Sequence, residues 1–217
     1  MYTDAQLQRE VMAQLDWDPA INAAQIGVEV SDGVVTLAGH VGNFGEKWEA
    51  EQVVLRMSGV QALTVELEVN LPGASRRDDA EIARAVVHAL EWQAGLPPDQ
   101  VAVMVESGWV TLAGRVDWQF QRMAAERAVR SLTGVRGISD TIAVEPEAPL
   151  TAQQVDIERA LLRNAKPGAH RILVRVDGSQ VTLSGAVSSW ADREQARHTA
   201  WSTPGVRSVV DEMRMRY

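Results

Sequence analysis

The string Val-Thr-Leu-(Ala/Ser)-Gly occurs three times in the chain, at Val35 to Gly39, Val110 to Gly114 and Val181 to Gly185, at offsets of 75 and 71 residues. A Gly-Val pair follows each copy at the same offsets: Gly59-Val60, Gly134-Val135 and Gly205-Val206. Between them Ala50, Ala125 and Ala196 coincide, and residues 28–69 and 103–144 share 15 identities in 42 ungapped positions. Self-similarity at a fixed period marks a repeat architecture. Upstream, Val11/Val86, Leu15/Leu90 and Trp17/Trp92 also match at 75. Proline-bearing segments, Leu71-Pro72-Gly73-Ala74-Ser75 and Glu145-Pro146-Glu147-Ala148-Pro149, separate the copies. Proline stops regular structure and stiffens a spacer. The expected domains are therefore 1–72, 73–147 and 148–217.

Each copy opens on a helical pattern. Leu7, Val11 and Leu15 recur at helical spacing in the first, and Ile82, Val86 and Leu90 in the second, where Asp78 or Asp79 is the expected N-cap. The third has Val155, Ile157 and Leu161/Leu162, ended by Pro167-Gly168. Strict alternation follows at Ile26 to Val30, Val101 to Val105 and Ile172 to Val176, as in a half-buried strand. A turn and the Val-Thr-Leu strand complete a β-hairpin signature. Val28, Val30, Val35 and Leu37 are expected to face inward. A second helix and a last strand close each copy, so the order is α-β-β-α-β. Two helices over one face of a three-stranded sheet bury these stripes, an α+β class.

An amphipathic helix, then V-x-V-x-x-G-x-V-T-L-x-G-x-V, a helix holding Ala125-Glu126, and Gly134-Val135 together resemble the BON domain of bacterial osmotically inducible and nodulation proteins. The resemblance covers nearly the whole chain as three domains; in the third, the turn glycine is displaced to Gly178. It implies a mixed sheet, a non-catalytic role, and attachment to phospholipid membranes or other envelope components. Many relatives are exported, whereas Met1-Tyr2-Thr3-Asp4-Ala5-Gln6 has no basic or apolar leader. The expected location is cytoplasmic, free or peripheral at the membrane, with a periplasmic one only through an unrecognised export route. A cytoplasmic relative that binds potassium implies a further reading, a potassium sensor with a cation on the Asp32 and Asp177 turns.

Little in the sequence suggests catalysis. The chain has no cysteine, which removes disulfides, thiolate metal sites and cysteine nucleophiles. His40, His88, His170 and His198 fall in unlike elements and lack ligand spacing. No phosphate-binding glycine loop or nucleophile elbow occurs. Neither a cofactor nor a metal is expected. A net charge of −8 argues against nucleic acid, which needs a basic footprint.

Charge and tryptophan carry what remains. Divided at residues 75 and 145, the first copy holds 3 basic and 11 acidic residues, the second 8 and 10, the third 10 and 8. This gradient suits either a third copy steered to anionic lipid or attraction between opposite ends of molecules. Seven tryptophans stand beside two tyrosines and two phenylalanines. Trp17 and Trp92 are expected to cap their local cores. In the second helix of the last copy, Ala196, Thr199, Ala200 and Thr203 form the inward face, which sends Trp190, Arg193, Arg197 and Trp201 outward; Trp48 follows in the first copy. Such a stripe suits a lipid headgroup layer, a protein partner, or packing against a neighbouring copy. The outer sheet face of the second copy (Ala102, Met104, Thr111, Ala113) is apolar and expects cover from a neighbouring copy or a second molecule. The sequence thus points to a binding protein for anionic phospholipid, linked to osmotic or envelope stress, with the five Trp and Arg residues as its site. A protein adaptor, chaperone-like or homo-oligomeric, is the alternative.

Overall fold

The computed structural model describes residues 3–73, 77–97, 99–145, 157, 159–160, 172–203 and 205–215. In the first repeat the order is α1 (Asp4–Trp17), a short 3-10 turn (Ala23–Gln25), β1 (Ile26–Ser31), β2 (Val34–Val41), α2 (Phe44–Leu55) and β3 (Ala62–Val69). The second repeats it as α3 (Asp79–Glu91), β4 (Val101–Glu106), β5 (Trp109–Val116), α4 (Gln119–Arg130) and β6 (Gly137–Val144). The third shows β7 (Leu173–Asp177), β8 (Gln180–Val187), α5 (Trp190–Trp201) and β9 (Ser208–Met215). Its expected first helix lies almost wholly outside the described residues, but Ile157 is fully buried in the third core.

Local chemistry starts the helices where the spacing predicts. Thr3 caps α1 in a reciprocal box with Gln6, and Asp78 caps α3 in the same way with Glu81. Leu7, Val11 and Leu15 are buried on α1, as are Ile82, Val86 and Leu90 on α3. Each sheet has three strands with the Val-Thr-Leu strand in the centre. β2 pairs antiparallel with β1, setting Val28 opposite Leu37 and Val30 opposite Val35. It pairs parallel with β3, setting Leu37 opposite Val65. A parallel neighbour needs a crossover, which α2 supplies. The sheet is mixed, and the alternation puts Val35 and Leu37 wholly inside.

The repeated glycine of this strand is a steric requirement. Gly39 and Gly114 have φ of +132° and +149°, and a Cβ there would run into the carbonyl oxygens of Gln25 and Gln100. The other glycine of the repeat serves the turn after the second helix. α2 ends at Leu55, four residues before Gly59, whose φ of +94° turns the chain so that Val60 enters the core.

The repeats touch through their second helices. Phe44, the first residue of α2, packs against the second core. Trp190, at the equivalent position of α5, packs against the first core. The Arg130 guanidinium at the end of α4 lies 3.5 Å from the centre of the Trp48 ring. The outer sheet face of the second repeat gains no such cover: Ala102 is exposed and Met104 is 59% exposed. Among the described residues no neighbouring copy covers Ala102 and Met104.

Candidate binding surface

The stripe expected to face outward on α5 is drawn into the protein. Trp190 packs on the first repeat and Trp201 against its own core. Trp48 lies under Arg130. Arg193 donates to the Asp211 carboxylate at 2.7 Å, and both side chains are largely buried. The pair repeats Arg122 and Asp140, at 2.8 Å in the second repeat, so it clips a second helix to its last strand. Arg197 donates to Glu194 at 3.0 Å and lies 4.0 Å from Asp211. Among the described residues the buried polar side-chain atoms without a partner are Gln119 Oε1, Arg130 Nε, Trp190 Nε1 and Arg197 Nε. All lie on α4 or α5. Of the readings open for this stripe, packing is the one these contacts match: the helix face opposite a repeat's own core meets a neighbouring repeat or the last strand, with Trp190, Arg193, Arg197 and Trp201 half-buried.

Among the described residues the two most exposed aromatic side chains belong to the first helices, ahead of Phe120 and Trp109. Trp17 is 86% exposed and Trp92 is 78% exposed, so neither caps a core. Met12 and Val87, again equivalent, are 52% and 47% exposed. Arg9 and Arg84 complete the pattern, both exposed. At 100° per residue, Trp17 points about 120° away from the middle of the Leu7, Val11 and Leu15 face. That projection of the sequence was the signal available for this surface. Each first helix therefore offers a cation on its outward side, flanked by an aliphatic side chain and an indole about 140° apart. In the second repeat the Trp92 indole N–H donates to His88 Nε2 at 3.1 Å, one helical turn back. This holds the ring along α3, with His88 exposed beside it.

The carboxylates that could have carried chemistry hold backbone instead. Asp79 accepts from the Ser107 and Gly108 amides, both at 2.8 Å, and so ties α3 to the β4–β5 turn. Asp4 does the same for Asp32 and Gly33, at 2.8 and 3.1 Å. Buried Glu46 accepts from the Asn22 and Gly42 amides at 2.8 and 2.7 Å. Its counterpart Gln121 bridges the Trp118 amide and the Gly95 carbonyl. Of the histidines, His40 lies 3.6 Å from Glu68 at the surface, and His88 and His198 are exposed. Among the described residues no group of three or more His, Asp or Glu could hold a metal ion. No helix among them is long and apolar enough to cross a membrane.

Comparison with known proteins gives three kinds of likeness. The family model of the BON domain matches residues 3–70, 78–146 and 150–217. Osmotically-inducible protein Y of Escherichia coli (strain K12) is 27% identical over 147 residues, covering 64% of this chain and 73% of that protein. Among solved structures, CdsD, a structural protein of the type III secretion system of Chlamydia trachomatis, aligns with a TM-score of 0.26 at 13% identity, covering 96% of this chain and 91% of that one. The PrgH periplasmic domain aligns at 0.22 and 15% identity, covering 89% and 96%. At such scores the two structures carry no argument about shape or partner.

Proposed function

This chain belongs to the BON domain family, and from that premise we propose that it is a non-catalytic binding protein of the osmotic or envelope stress response that attaches to phospholipid surfaces. The observation that carries the reading is the twice-repeated stripe of Arg9, Met12 and Trp17 on α1 and Arg84, Val87 and Trp92 on α3. An indole at the headgroup layer, an aliphatic neighbour and a cation for phosphate are the parts of an interfacial helix. The second repeat is the better anchor for anionic lipid. It carries 8 basic against 10 acidic residues, where the first carries 3 against 11. The similarity to an osmotically inducible protein supports the physiological setting.

Co-sedimentation of the full chain with vesicles tests this. Anionic vesicles are expected to retain the protein, less so as salt rises, because charge contributes about 1 kcal/mol per basic residue near the surface. Trp92→Ala with Val87→Ser should weaken retention several-fold at every salt concentration, whereas Arg84→Glu should weaken it mainly at low salt. Absence of retention on every vesicle composition would overturn the reading.

A further inference from the structure

On the flank of α1 away from Met12, the first repeat carries an open cleft of about 490 Å³ between α1 and the C-terminal end of α2. Val53 and Met57, half-buried, supply its apolar strip above the buried Leu7, and Trp17, Glu10 and Asp18 line it too. The cation in its lining, Arg56, is turned back along α2. It donates to the Gln52 carbonyl at 3.0 Å and pairs with Glu49 at 2.7 Å. Glu10 has no ion pair or hydrogen bond among the described residues, and Asp18 spends one oxygen on the Ala20 amide. The cleft therefore presents negative charge beside a narrow apolar strip.

The second repeat shows that the fold does not require this. There the strip stays apolar, with Ile82, Ala128 and Leu132, but Glu10, Asp18 and Arg56 give way to Ala85, Gln93 and Ser131. The indole differs as well. Trp92 is tied to His88, whereas the residue one turn before Trp17 is Ala13, which offers its N–H no side-chain acceptor. The charged lining and the untied indole are additions to a common frame.

We infer that this cleft binds a basic amphipathic peptide segment of a partner protein. Aliphatic side chains of the segment meet the strip between the two helices, as in helix-in-groove recognition. Its lysines or arginines meet Glu10 and Asp18, and a guanidinium stacks on Trp17. The inference shares Trp17 with the lipid reading, which otherwise rests on Arg9 and Met12 across α1 and on α3, so a variant confined to Glu10 and Asp18 tests it separately.

Titration of the full chain with a labelled synthetic helical peptide of leucine and arginine tests it, followed by fluorescence anisotropy. The same peptide with every arginine replaced by glutamate is the control. The basic peptide should bind and the acidic one should not. Glu10→Gln with Asp18→Asn, which keeps the size and the Ala20 cap, should weaken binding about tenfold or more; circular dichroism should confirm an intact fold. Trp92→Ala with Val87→Ser, which disables the proposed lipid stripe, should leave peptide binding unchanged. Equal affinity for both peptides, or indifference to the Glu10 and Asp18 substitutions, would overturn the inference. So would a concentration-dependent dimer of the chain that those substitutions abolish, because the occupant would then be a second copy.

Discussion

Glu51 and Glu46 lie on the same helix, yet burial treats them differently. Glu46 receives two backbone amides, whereas the Glu51 pKa is raised, first by desolvation and against a smaller opposing pull from Lys47. Lys47 is itself bonded to the Leu67 carbonyl at 2.9 Å. A carboxyl whose pKa is higher folded than unfolded stabilises the fold while it is protonated, and that contribution is lost as pH rises through the folded pKa. Glu51→Gln keeps the shape and removes the charge. It should raise the thermal midpoint at pH 7, and the gap to the parent should shrink as pH falls through the carboxylate range. A variant less stable than the parent at pH 7 would show that the Glu51 charge is favourable where it sits. The same residue-level view explains why the Arg193 ion pair was not legible in the sequence. Its outward direction on the helix was visible, but its partner Asp211 is 18 positions away on β9. No local spacing reports that meeting.

At the scale of elements, the clamp from first helix to hairpin is a device the first two repeats share beyond their cores. Asp4 and Asp79 each hold two amides of a turn that contains positive-φ residues, Asp32 and Gly33 or Ser107 and Gly108. Such turns match strand twist but leave their amides seeking acceptors. Asp79→Ala should cost the second repeat about 1–3 kcal/mol, since hydrogen bonds to a charged group are among the stronger ones. Amide exchange resolved by residue should show faster exchange in β4 and β5 and little change in β1 and β2. The elements themselves were legible because periods of 3.6 and 2 report one buried face, and both read correctly for α1, α3 and every described hairpin. The candidate surface was less legible. Trp17 and Trp92 matched in register, which suggested a shared core role, whereas the helical projection alone put them in solvent.

For the whole molecule, the joints between repeats are aromatic. Phe44, Trp48 and Trp190 supply the contacts. The Arg130–Trp48 stacking contributes about 0.5–2 kcal/mol. Arg130→Ala should therefore loosen the joint between first and second repeats without unfolding either. Small-angle scattering should report a larger radius of gyration, with an unchanged circular dichroism spectrum; an unchanged radius would show that Phe44 alone holds the joint. None of this was readable beforehand, because a repeat's sequence carries its own core pattern but not the identity of its neighbour. One consequence concerns order. In an open stack of repeats each unit touches its neighbours in the chain. Here the third repeat leans through Trp190 on the first, and the first leans through Phe44 on the second. Removing the third repeat would therefore bare a surface of the first, the repeat furthest from it in the chain.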